Sequence, residues 1–291
     1  MTRRPPKSKS PGKSAQHGDG EVPDGEHQEP ARLVQITDPH LFASPEGKLL
    51  GLTTRQSFEA VLALALGDGA SAPADALVMT GDLVHDETPE GYRYLHGVLQ
   101  ATGLTCYCIP GNHDRPDLME RCLGAAAVGR VASRPLGPWN LLFLDSTRPG
   151  QEGGLLERDQ LDQLDGLLAG NPAPSVVFLH QHPISIRSAW MDTMDVENGA
   201  ELIAVCDRHP NVRALVFGHI HQEFVAEQSG YLILGAPSTC VQFLPGSEDF
   251  AMDTRTPGYR ELLLYPDGQL ETSVWRLSAY PEPLNTAAEG Y

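Results

Sequence analysis

Leu33-Val34-Gln35-Ile36-Thr37-Asp38-Pro39-His40 reads as a short apolar strand that runs, with no linker, into side chains able to hold a metal ion. Four later segments repeat the pattern. Ala76–Thr80 leads into Gly81-Asp82, and Thr105–Ile109 into Pro110-Gly111-Asn112-His113-Asp114. Val176–Leu179 leads into His180-Gln181-His182-Pro183, and Ala214–Phe217 into Gly218-His219-Ile220-His221. Leu141–Leu144 is a further strand of the same apolar kind. Helical patterns lie between them. Thr53–Leu66 opens with hydroxyl residues placed to cap it, Thr88 is placed as N-cap with Pro89 as first helical residue, and Glu157–Leu168 sets Leu161, Leu164 and Leu168 on one face. Such alternation predicts a layered α/β fold. After residue 222 only strands are expected: Phe224–Glu227, Tyr231–Leu234, Val241–Phe243, Arg260–Tyr265 and Leu270–Arg276. No internal repeat is visible, and a sandwich of mixed sheets with helices outside is the simplest assembly.

In an α/β sheet the loops at the carboxyl ends of the strands share one edge, where ligands bind. A single histidine there is more often a satisfied structural residue than a ligand. A polar cluster at the end of each of these strands is a different matter. Carboxylate, imidazole and amide oxygen together suit Mn²⁺, Fe or Zn²⁺, and the lack of Cys among them argues against a structural zinc site. Asp38 and His40 are two apart on an extended segment, so both leave one face and can clamp a single ion. His219 and His221 share that spacing and can divide between two ions, and Asp82 can bridge through its two oxygens. Gly81, Gly111 and Gly218 each precede a ligand, where a tight turn aims the next side chain. The expected result is a two-metal site, the kind that activates water and clamps attacking and leaving oxygens.

The order D-x-H, G-D, G-N-H-D, H and G-H-x-H resembles the calcineurin-like metallophosphoesterase superfamily over roughly residues 32–276. The resemblance implies a four-layer αββα sandwich of two mixed β-sheets flanked by helices. It assigns Asp38, His40 and His221 to one divalent ion and Asn112, His180 and His219 to the other, with Asp82 bridging. It makes His113 a phosphate-contacting residue that protonates the leaving group, with Asp114 orienting it. Purple acid phosphatases of this superfamily carry a metal-binding Tyr where this chain has His85. Its protein Ser/Thr phosphatases place an Arg before G-N-H, where this chain has Pro110. Longer stretches are similar to bacterial class III cyclic nucleotide phosphodiesterases: Gln35–His40, His180–Pro183 followed by Trp190-Met191-Asp192, Gly235–Phe243 and Pro257–Arg260. That family often has His in place of Gln181, which puts a supporting contact and substrate preference in question. The implied activity is hydrolysis of a cyclic nucleotide, 3′,5′-cyclic AMP to 5′-AMP, by a hydroxide activated at the two metals. Asn112, His113 and His182 are the expected substrate contacts. Trp190 either closes over the nucleoside or packs in the core, and Arg187 could reach a phosphate. The alternatives are a broader phosphodiesterase or phosphomonoesterase of the same superfamily, or a catalytically silent metal-bound regulator.

Composition narrows the partners. Acids outnumber bases 38 to 21 in 291 residues, a formal net charge of −17, which argues against a nucleic-acid binder. A phosphate-bearing substrate must then be held by something locally positive, such as bound metal. Five cysteines form no secreted-scaffold spacing and fit a reducing cytoplasm; Cys106 and Cys108 read as strand packing. No run approaches the ~20 apolar residues of a membrane span. Arg3 and Arg4 suggest a twin-arginine signal, but no apolar run follows, so a cytoplasmic location is expected. Residues 1–30 are too poor in large apolar side chains to form a core and are expected to be a solvated tail before a domain over 31–280, with a second tail at 281–291. A monomer or homodimer acting on a small molecule is the expected state.

Overall fold

The computed structural model describes residues 29–67, 70–280 and 282–285. Its strands are β1 (Ala31–Ile36), β2 (Lys48–Leu49), β3 (Leu52–Thr53), β4 (Ala76–Thr80), β5 (Thr105–Ile109), β6 (Val131–Leu136), β7 (Trp139–Leu144) and β8 (Ser175–Phe178). They continue with β9 (Val212–Phe217), β10 (Phe224–Gln228), β11 (Tyr231–Gly235), β12 (Gln242–Phe243), β13 (Met252–Asp253), β14 (Gly258–Leu264) and β15 (Leu270–Arg276). The helices are α1 (Thr54–Leu66), α2 (Pro89–Thr102), α3 (Pro116–Leu123), α4 (Arg158–Gly170) and α5 (Gly199–Cys206).

Two sheets carry the fold, in the orders β15-β14-β1-β4-β5 and β10-β11-β9-β8-β7-β6. β1, β4 and β5 are parallel neighbours, as are β7, β8, β9 and β11, while β14, β15, β6 and β10 add antiparallel edges. Both sheets are therefore mixed. The parallel strands read as unbroken apolar runs because both of their faces are buried. Alternate residues of each strand enter different cores. Leu33, Val78, Phe143, Phe178 and Val216 meet between the sheets. Val34, Leu77 and Met79 pack under α1, α2 and α3 with Phe58, Leu95 and Met119. Leu142, Val177 and Leu215 pack under α4 and α5 with Leu161, Leu164 and Leu202. Three cores between four layers make the αββα sandwich.

Thr88 caps α2, accepting from the Gly91 amide at 3.3 Å, and Glu157 and Gln160 form a capping box at α4. α1 differs from expectation. The Thr53 side chain does not cap it; instead the Thr53 amide donates to Glu282 at 2.6 Å. Glu282 also accepts from Lys48 at 2.8 Å, and the Asn285 amide donates to Leu50 at 2.9 Å, so residues 282–285 of the expected C-terminal tail lie against the β2–β3 turn. The expected N-terminal tail falls, up to residue 28, outside the described residues.

Candidate metal centre

The carboxyl ends of β1, β4, β5, β8 and β9 converge on one edge, and the parallel pairing of β1 and β4 continues into their loops. The Asp38 amide donates to Gly81 at 3.1 Å, His40 to Asp82 at 3.0 Å, and Leu41 to Leu83 at 3.0 Å. That ladder sets Asp38 and His40 beside Asp82. The sheets are joined here as well. Gln35 donates to Thr80 in its own sheet and to the Phe217 carbonyl in the other, at 2.9 and 3.0 Å. The His219 amide donates to both oxygens of Asp38 at 3.1 Å. Asp38, His40, Asp82, His219 and His221 all have positive φ, between 44° and 66°. Backbone held there costs about 1–3 kcal/mol per residue and persists where surroundings enforce it. Gly111 is required by space, since a methyl there would overlap the Asp82 carboxylate and amide.

Two buried triplets result. Ligand atoms of Asp38, His40 and His221 lie within 4.8 Å of one another, as do those of Asp82, His180 and His219. Asp82 also reaches toward the first triplet, with Oδ1 3.3 Å from His180 Nε2 and Oδ2 3.7 Å from His40 Nε2. Asn112 Oδ1 joins the second set, 3.1 Å from His180 Nε2. The rings are aimed from behind: His180 Nδ1 meets the Thr80 carbonyl at 2.7 Å and His221 Nδ1 meets that of Val241 at 2.8 Å, which turns each Nε2 inward.

The donor set fits divalent cations. Both ring nitrogens of His219 and Asp82 Oδ2 are buried with no hydrogen-bond partner. Each such atom costs about 1–3 kcal/mol unless something satisfies it. Burial pushes the His40 and His219 imidazoles well below their ordinary pKa, keeping them neutral as ligands must be. Burial opposes the Asp82 charge, yet the nearby His180 ring holds its carboxyl well below the usual range, and against burial Asp82 in turn raises the His180 imidazole to about 9.

His113 and Asn112 face a cleft of about 560 Å³ that reaches His219 and is walled by Trp190, Met194 and Phe250. Its acidic lining residues are Glu152, Glu248 and Asp249, and among the described residues no Lys or Arg lines it. Trp190 also packs edge-on against Phe243 and Phe250, so it is both wall and core. Arg187 is exposed and does not line the cleft. His182, expected at the substrate, is buried behind it. Its ring stacks on His219 at 5.9 Å and its Nε2 lies 3.4 Å from Asp192. Asp114, expected beside the His113 ring, accepts from the amides of Gly111, Leu83 and Val84 and from the Tyr92 hydroxyl. Gln181 faces away, accepting from Ser146 at 2.5 Å and donating to the Glu152 carbonyl at 3.2 Å. His85 had no role in the sequence reading beyond standing where a relative has Tyr. It lies 3.2 Å from His40 Nδ1 and stacks on the His113 ring. Its place three residues after Asp82 was the available signal.

The fold and its buried Asp/His clusters define a phosphoesterase with a divalent-metal centre. The sequence profile of calcineurin-like phosphoesterases matches residues 31–223, and the chain belongs to that family. It is 41% identical over 249 residues to a 3′,5′-cyclic-nucleotide phosphodiesterase of Nostoc, covering 85% of this chain and 93% of that one. It is 38% identical over 266 residues to the 3′,5′-cyclic adenosine monophosphate phosphodiesterase CpdA of Escherichia coli, covering 89% and 94%. Among solved structures, a dimetal phosphatase from Danio rerio superposes with a TM-score of 0.61 at 16% identity, covering 86% of this chain and 100% of that one, a likeness of fold alone. Among the described residues no helix is long and apolar enough to cross a membrane.

Proposed function

We propose that this chain is a 3′,5′-cyclic AMP phosphodiesterase with two divalent ions, one held by Asp38, His40 and His221, the other by Asn112, His180 and His219, and Asp82 shared. The observation that carries the phosphoester chemistry is the pair of buried triplets meeting at Asp82. Identity of 36–41% to cyclic-nucleotide and cyclic AMP phosphodiesterases across at least 85% of the chain supports the substrate. Nitrogen and oxygen donors without sulfur suit Mn²⁺, Fe or Zn²⁺.

Bound divalent ions would supply positive charge at the phosphate and an activated water. The remaining work falls to the chain. Among the described residues no Lys or Arg lines the cleft, which leaves Asn112 and His113 as the chain's own proposed contacts for the phosphate. Trp190 and Phe250 offer flat apolar surface to a purine. Water oxygen bonds to phosphorus as a water proton passes to solvent, the bond from phosphorus to O3′ breaks, and the ring opens to 5′-AMP. The departing O3′ is a poor leaving group, and His113 gives it a proton.

The test is a Mn²⁺-supplemented screen of cyclic nucleotides, linear diesters and monoesters with product identification. Conversion of 3′,5′-cyclic AMP to 5′-AMP, with little onward dephosphorylation, is expected. Faster turnover of AMP or p-nitrophenyl phosphate than of any diester would make the chain a monoesterase. No hydrolysis by metal-loaded protein would make it a regulator.

A further inference from the structure

We infer that His85 is a positioning residue: its Nδ1 accepts the proton that fixes the tautomer of His40, and its ring braces His113. The inference rests on the proposed metal set. If His40 ligates through Nε2, which faces Asp82 and His221, that nitrogen presents a lone pair and the proton of the neutral ring sits on Nδ1. Nδ1 lies 3.2 Å from His85 Nδ1. Two nitrogens at that distance share one proton, so His85 Nδ1 is the acceptor and its own proton sits on Nε2. His180 and His221 find backbone carbonyls for the same purpose, at Thr80 and Val241. For His40 a side chain takes that part.

The second half of the role is steric. The His85 and His113 rings stack with centroids 5.1 Å apart and planes 26° apart, and Phe42 packs on His85 at 5.0 Å. Phe42, His85 and His113 thus form a column of rings with the proposed proton donor at the end of it. The column stands on the continued ladder, because the His85 amide donates to the Leu41 carbonyl at 2.8 Å. One residue thereby couples a metal ligand on the β1 loop to the proton donor on the β5 loop.

Two substitutions separate the halves. His85→Asn keeps an acceptor where Nδ1 stands and removes the ring; His85→Phe keeps a ring and removes the acceptor. Mn²⁺ titration of metal-free protein by calorimetry reads the first half without any turnover. His85→Phe should weaken one of two Mn²⁺ sites about 10- to 100-fold, and His85→Asn should bind both nearly as the unsubstituted chain does. The ratio of cyclic AMP to bis(p-nitrophenyl) phosphate turnover reads the second half, since only the alkoxide needs a proton. That ratio should fall in His85→Asn and hold in His85→Phe. Unchanged Mn²⁺ affinity in His85→Phe overturns the acceptor role, and an unchanged ratio in His85→Asn overturns the bracing role. If the unsubstituted chain binds none of Mn²⁺, Fe²⁺ and Zn²⁺ in the same titration, the metal reading itself fails, and the inference with it.

Discussion

His113 reaches the cleft from a loop whose own amide donates to Asp82 at 3.0 Å, so the proposed proton donor and the proposed bridging ligand are registered by one bond. Its side chain is a different matter from that amide. Replacing the ring in His113→Ala leaves the bond to Asp82 intact, and metal content should be unchanged by elemental analysis. A positioned general acid contributes roughly 10²–10⁴-fold. Turnover of 3′,5′-cyclic AMP should fall by about that factor, while bis(p-nitrophenyl) phosphate, which expels a stabilised phenolate, should be largely spared. Equal losses on both substrates would leave His113 with phosphate contact alone. The residue types and spacings around it were legible in sequence, because a ligand set is a list of donors in order. The partners of Asp114, Gln181 and His182 were not. Each turns on which way a side chain leaves its loop, and for Gln181 that direction is toward Ser146.

At the scale of elements, α2 is tied into the site. Its Tyr92 hydroxyl donates to Asp114 at 2.8 Å and accepts from the Arg115 amide at 2.8 Å, joining the helix to the loop that carries Asn112 and His113. Removing that hydroxyl in Tyr92→Phe leaves a buried carboxylate and a backbone amide each short of a partner. A loss of about 1–3 kcal/mol in urea unfolding is expected, with slower turnover as the loop loosens. Unchanged stability would mean water replaces the hydroxyl. The long apolar strands were readable from their period, α2 from its Thr88 cap and α4 from its apolar face, while α1 was placed although the hydroxyl cap expected of it is not made. β6, α3 and α5 were not. α3 and α5 are eight residues each, too short for a periodic signal, and no side chain caps either start. β6 reads ValAlaSerArgProLeu, an edge strand with only Ala132 buried, whose place is set by pairing with β7.

For the whole molecule, the buried orphan atoms at Asp82 and His219 make the fold and the proposed ions interdependent. A ligand at a hundred times its dissociation constant stabilises by about 2.7 kcal/mol, which in a domain of this size raises the melting temperature by about 5–10 °C. Mn²⁺ should produce such a shift in the unsubstituted chain and little in Asp82→Ala, which removes the shared carboxylate; equal shifts would sink the bridging assignment. The net charge of −17 acts at this scale too, since an acidic chain with acids around its cleft would rely on the proposed ions, with Asn112 and His113, to draw the proposed anionic substrate. What the sequence by itself determined is the layered α/β class, the strand-end placement of the ligand types and the family they resemble. Those follow from local period and from donors written in order along the chain. Tertiary structure alone decided that Gln181 turns to Ser146, that Glu282 rather than Thr53 serves the start of α1, and that His85 stands between Phe42 and His113. The reason is physical: each of those contacts joins segments distant in sequence, and only the continued β1–β4 ladder and the stacking of two sheets bring their side chains within reach.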